Sequence, residues 1–194
     1  PAFEDTYPGI EVQVYQGSYA DIAAWLKSGT VELGFLSDSC AQDLDFEPLY
    51  TDPLICIAPL GFTTRRPGHV MAEELRGQPF VSQRSDTDAD IQNYLKRNDL
   101  QMRTACYVID DESMVGMVAC GQGVAIMPEL LLTRGDTAPG VQVLALEPPA
   151  MRSIGIACLD QNSLSPAARE FARRARNFAA TLQISSFQTM KKRV

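Results

Sequence analysis

Residues 120–129 read CGQGVAIMPE: two glycines two apart, a short apolar run, then a proline and a glutamate. A glycine pair beside a strand can cradle a phosphate, but such a loop sits between a strand and the N-terminus of the next helix, where free N–H groups and the helix dipole face the anion. Here the order is reversed. The preceding stretch DDESMVGMVA has a helical pattern with Met114, Met117 and Val118 inward, and GVAIMP reads as a strand. Gly121 is therefore expected to be the left-handed residue that stops the helix, and Gly123 to let the strand begin. A helix handing directly to a buried strand is the mark of an α/β chain.

The same rhythm extends in both directions. IEVQVYQ alternates, with Ile10, Val12 and Val14 on one face, which predicts a strand. GSYADIAAWLKSG predicts a helix: Ser18 caps it with Asp21 three residues on, Ile22, Trp25 and Leu26 form a stripe, and Gly29 ends it. VELGFL predicts the next strand, and PLICIAP is a continuous apolar run of the kind buried on both faces. After the turn-rich GFTTRRPGH and a short helix near 71–76, PFVSQ and CYVI predict strands around a helix with Ile91, Tyr94 and Leu95 inward. VQVLAL and SIGIACL are both strand-like. SPAAREFARRARNFAATLQ predicts a long helix capped by Ser165, with Phe171, Ala175, Phe178 and Leu182 as its stripe. The terminal MKKRV is expected to be a solvated end.

Composition limits what such a chain can do. It has 194 residues, is 45% hydrophobic and 21% charged, and carries a formal charge of −7, so it can bury one large core or two small ones. The acidic balance opposes sequence-independent attraction to nucleic-acid backbones. No run is long enough to span a membrane, and PAFEDTYPG lacks the basic start and apolar middle of a secretion signal, so a cytoplasmic location is expected. Five cysteines without a C-x-x-C pair read as reduced thiols, with Cys40 in LSDSCAQD expected to be the only exposed one.

Catalytic chemistry is not visible. The single histidine, His69, is expected to face solvent in a loop, and no G-x-S-x-G elbow is present. Asp110, Asp111 and Glu112 fall at a predicted helix start, where acids cap free N–H groups, and no second acidic cluster has metal-ligand spacing. No catalytic residue, metal or cofactor is expected.

The ordered combination of YPGIEVQVYQGSYADIAAWLKSGTVELGFLS (7–37), EPLYTDPLICIAP (47–59), PFVSQRSDTDADIQNYLKR (79–97), DDESMVGMVACGQGVAIMPELLL (110–132) and LSPAAREFARRAR (164–176) resembles the effector-binding region of LysR-type bacterial transcription regulators. That resemblance implies an α/β fold of the type 2 periplasmic-binding-protein kind, two-lobed, with a small-molecule cleft between the lobes. Lobe I would be 1–78 and 162–194, and lobe II 79–161. It further implies that the family's winged helix-turn-helix lies outside this chain, so that the chain senses but DNA is contacted only through that other domain. The family's first strand and the loop after it are also expected upstream of Pro1, between the strands matching IEVQV and VELGFL.

By the same resemblance, Ser37 would face the cleft from lobe I, while Gln83, Arg84, Ser85, Asp86 and Thr87 would form a donor nest in lobe II and Ile126, Met127 and Pro128 an apolar wall. Arg84 is the one fixed positive charge in that set, which favours a small organic anion, although Asp86 and Asp88 weaken the attraction and leave neutral or zwitterionic ligands open. A homodimer or tetramer is expected, paired through the YADIAAWLKS helix. Two other functions compete: a transport-type solute-binding protein of the same fold, and a small-molecule enzyme built on it.

Overall fold

The computed structural model describes residues 3–83, 89–132 and 140–190, with side chains described to residue 181. Arg84, Ser85, Asp86 and Thr87, and residues 191–194 of the expected solvated end, lie outside the described residues. The chain forms two compact units, one from Pro1–Thr51 and Ser153–Val194, the other from Asp52–Arg152. The units divide at 51/52 and 152/153, and neither division falls at a turn. Two long strands account for this: β2 (Asp45–Pro59) and β7 (Val141–Cys158) each run straight through a division. A division inside a strand carries no turn residues to mark it, and VQVLAL and SIGIACL are the two ends of one strand.

In the second unit the elements follow from local pattern. They are β3 (His69–Met71), α2 (Ala72–Leu75), β4 (Pro79–Gln83), α3 (Ala89–Arg97), β5 (Arg103–Val108), α4 (Asp111–Ala119) and β6 (Ala125–Pro128). β4 and β5 pair in parallel around α3, and a parallel bridge from Phe80 to Val124 sets β6 on the other side of β4, giving two crossover units. β2 pairs antiparallel with β6, from Leu54 opposite Pro128 to Ile57 opposite Ala125, and β3 runs parallel to β7.

Alternation sorts the core of this unit into two layers. Leu54, Cys56, Phe80, Val124 and Ile126 meet Ile91, Tyr94 and Leu95 of α3 on one face. Ile55, Ile57, Val81, Ala125 and Met127 meet Met114 and Val118 of α4 on the other. PLICIAP is therefore buried on both faces, as its unbroken apolar run predicts. Met117, expected inward, is instead exposed.

The stretch 120–129 answers its own question. Cys120 is the C-cap of α4; Gly121, at φ +77°, donates to the Val118 carbonyl at 2.9 Å, and Gln122 donates to that of Met117 at 3.1 Å. This is the pairing by which a left-handed residue closes a helix. Gly123 does more than begin a strand: a Cβ there would lie 2.2 Å from the Pro79 carbonyl oxygen, so only glycine lets β4 and the start of β6 approach.

In the first unit, α1 (Tyr19–Ser28) has the predicted capping box between Ser18 and Asp21 and ends at Gly29, φ +73°. Its Leu26 packs with Leu36 of β1 (Gly34–Ser37) and with Ala157, and β1 pairs antiparallel with β7, Gly34 opposite Ala157. α5 (Pro166–Met190) is capped by the Ser165 hydroxyl, which accepts from the Ala168 amide at 3.1 Å. Its buried residues up to 181 are Ala168, Ala172 and Ala179; Phe178, expected in the stripe, is 66% exposed, and the side chain of Leu182 lies outside the described residues.

The predicted strand IEVQVYQ is not formed. Residues 10–17 have no strand assignment, and Val14 is 87% exposed. An alternating sequence supplies one apolar face but not the neighbour that its N–H and C=O groups need, and among the described residues none pairs with it. A cavity of about 400 Å³ is lined by residues 10–15 and 30–35 together with Ile22, Trp25 and Phe171.

Candidate functional site

The second unit brings polar groups together where its parallel strands end. β4 ends at Gln83, whose Nε2 donates to Asp111 Oδ1 at 2.5 Å, tying this strand end to the first turn of α4. Asp110, one residue earlier, is the N-cap: Oδ1 accepts from the Ser113 amide at 2.7 Å and Oδ2 from the Ser113 hydroxyl at 2.9 Å. Those bonds hold the Asp110 carboxyl below its ordinary value. Asp111 goes the other way. Burial pushes its carboxyl up, while the Gln83 hydrogen bond and the nearby Arg152 charge pull it down.

β6 ends at Pro128 and continues as one turn of 3-10 helix, Glu129–Leu131. The Leu130 amide donates to Asp52 Oδ1 at 2.9 Å, and Asp52 Oδ2 accepts from Arg152 Nε at 3.0 Å and Nη2 at 2.8 Å. Asp52 has no exposed surface and Arg152 is buried. Burial pushes the Asp52 carboxyl up, against the Leu130 amide and the Arg152 guanidinium, which both favour its charged form. Sequence reading missed this pair because its partners are 100 residues apart. Of the acids expected to cap the helix start, Asp110 is the N-cap, while the adjacency of Asp111 to Gln83 leaves no local signal.

The sequence-predicted residues fall into three groups. Gln83 stands at its strand end beside Asp111. Ile126 and Met127 are core residues on opposite faces of β6, and Pro128, itself buried, stands at the strand end. Ser37 belongs to the first unit, closes β1 fully buried, and its Oγ lies 3.3 Å from Asp38 Oδ1 and 3.2 Å from the Ser39 hydroxyl.

Two expectations outside this region are corrected. His69 is not a solvent-facing loop residue: it lies on β3 with Nδ1 3.0 Å from Glu147 Oε1, an oxygen it shares with Arg66. Cys120, not Cys40, is the exposed thiol; Cys40 is half-buried. Burial pushes the Cys56 thiol up to about 12, which keeps it protonated at neutral pH. Among the described residues no nucleophile and base meet at the strand ends. Among the described residues no three metal-ligating side chains cluster, and no helix is long and apolar enough to cross a membrane. The groups present can accept and donate hydrogen bonds to a small polar molecule.

Residues 1–180 match the family model described as LysR substrate binding domain. The curated relative GltC of Bacillus subtilis, a transcriptional dual regulator, is 25% identical over 183 residues, which cover 88% of this chain and 58% of GltC. The chain thus spans little more than half the length of that relative. Among solved structures, the regulatory domain of Synechocystis PCC6803 CcmR in complex with 2-PG superposes with a TM-score of 0.83 at 19% identity, covering 92% of this chain and 88% of that one. The effector binding domain of QuiR in complex with shikimate gives a TM-score of 0.80 at 22% identity, covering 93% and 88%. These likenesses establish the fold as that of LysR effector-binding domains, with the two-lobed, type 2 periplasmic-binding-protein-like α/β architecture. By its own match over residues 1–180, the chain belongs to the LysR substrate binding domain family.

Proposed function

We propose that this chain is the ligand-sensing part of a LysR-type transcription regulator and that it is not an enzyme. One observation carries the site assignment: in the second unit the end of β4 and the first turn of α4 are joined by the 2.5 Å Gln83–Asp111 hydrogen bond, which presents a half-buried carboxyl and an amide at the C-terminal ends of parallel strands. Open α/β sheets bind small molecules at such ends. Gln83, Pro128 and Asp111 of the second unit are the proposed effector contacts, together with Arg84, Ser85, Asp86 and Thr87 between β4 and α3. The effector in this reading is a small organic acid that also carries a donor: its anionic group is matched by Arg84, and a hydroxyl or ammonium by Asp111. The protein acts in the cytoplasm and reaches DNA through a separate domain.

Calorimetric titration of shikimate and of matched organic acids with and without a hydroxyl or ammonium tests this. Saturable binding of one donor-bearing acid is the expected result; binding of none, or turnover of any, removes the reading. The chain is also proposed to pair as a two-fold homodimer through α1, whose Ala20, Asp21, Ala24 and Lys27 are exposed. Sedimentation at tens of micromolar should show the dimer, and a monomer at that concentration rules this pairing out.

A further inference from the structure

The Asp52–Arg152 pair lies outside every role described so far, yet its placement is specific. Asp52 and Arg152 are the first and last residues of the second unit, so the pair joins the strand that enters the unit to the strand that leaves it. A third segment is fastened at the same carboxylate. The β2–β6 ladder runs antiparallel as far as Leu54 opposite Pro128. Two residues further on, Asp52 would face Leu130, but there the chain has already turned into its 3-10 helix. There the Asp52 side chain accepts from the Leu130 amide at 2.9 Å. Asp52 thereby accepts three donors, from segments 78 and 100 residues away, without any exposed surface.

A buried ion pair is weak evidence of stabilisation, since desolvation offsets the attraction and apolar pairs of similar volume are often as stable or more so. Three directional bonds at one carboxylate suit a different task. We infer that Asp52 and Arg152 are positioning residues: they fix the turn after β6, and with it the Pro128 end of the candidate effector site, to the two strands through which the chain enters and leaves the unit. The functional part of this inference rests on the sensing reading; the positioning itself does not.

The test compares amide hydrogen exchange in the wild-type chain, in Asp52→Leu/Arg152→Leu, and in Asp52→Asn, without any effector. The double variant should melt at or above the wild-type midpoint, while Leu130 exchanges at least about tenfold faster and Ile55 and Ile57 keep their wild-type rates, because local openings need not track global stability. Asp52→Asn retains an acceptor for the Leu130 amide and should restore most of its protection. If the double variant keeps Leu130 protected, or if it loses protection throughout the unit, the pair is not a positioning device. Because no effector enters the experiment, failure here leaves the sensing reading untouched, and a chain that binds none of the organic acids leaves the positioning result standing.

Discussion

Gln83 Nε2 and Asp111 Oδ1 stand 2.5 Å apart, joining two strand-to-helix corners that are 28 residues apart in sequence. Asp111→Asn keeps the shape of this contact and removes its charge. Desolvation already opposes that charge, so the variant should fold with stability within about 1 kcal/mol of wild type. Its affinity for a donor-bearing acid should fall roughly tenfold or more, since a hydrogen bond to a charged group is lost. Urea unfolding and calorimetry on the same sample measure both.

The two glycines of the opening stretch should respond unequally. Gly121→Ala puts a side chain at φ +77° in open space and should cost about 1 kcal/mol. Gly123→Ala drives a Cβ to within 2.2 Å of the Pro79 carbonyl oxygen, which is backbone and cannot step aside. Its cost should exceed roughly 3 kcal/mol, in the range of severe core defects. Urea midpoints of equal size for the two variants would contradict the close-approach argument.

Tyr94 offers a stabilising change. Its hydroxyl is buried without a partner among the described residues, and burial pushes its ionisation up to about 12. Tyr94→Phe removes a desolvated polar atom and should leave stability unchanged or raise it by about 1 kcal/mol. A loss of more than that in thermal unfolding would reveal a hydrogen bond at this hydroxyl.

Glu170 gives the fold a pH dependence of known sign. Hydrogen bonds from Arg173 and Tyr7 hold its carboxyl down to about 2, from 4.5. A depressed folded value means a contribution fully present above pH 4.5 and lost as pH falls through about 2. Glu170→Gln should therefore be less stable than wild type at neutral pH, and the two should converge below pH 2. Urea midpoints across that window test it; a difference that grows on acidification would reverse the sign.

What the sequence reveals depends on how far the deciding partner lies along the chain. The α1 helix is readable to the residue because Ser18, Asp21 and Gly29 act on their immediate neighbours, and PLICIAP declares burial on both faces through its own composition. IEVQVYQ fails for the opposite reason: alternation describes a face, while a strand also requires an adjacent backbone, which its own residues cannot supply. The division between units is hidden inside β2 and β7, where nothing in the local pattern changes. At the candidate site, Gln83 is legible as a strand end, but Asp111 and the Asp52–Arg152 pair become visible only once β4, α4 and the ends of the unit are folded together.

Sensing of a small effector at the strand ends is tested by titrating the panel of organic acids, shikimate included, against the wild-type chain and against Ser85→Trp. Wild type should bind a donor-bearing acid saturably at a single site, and the variant should lose that binding with an unchanged unfolding midpoint. Equal binding by both proteins would place the effector site elsewhere.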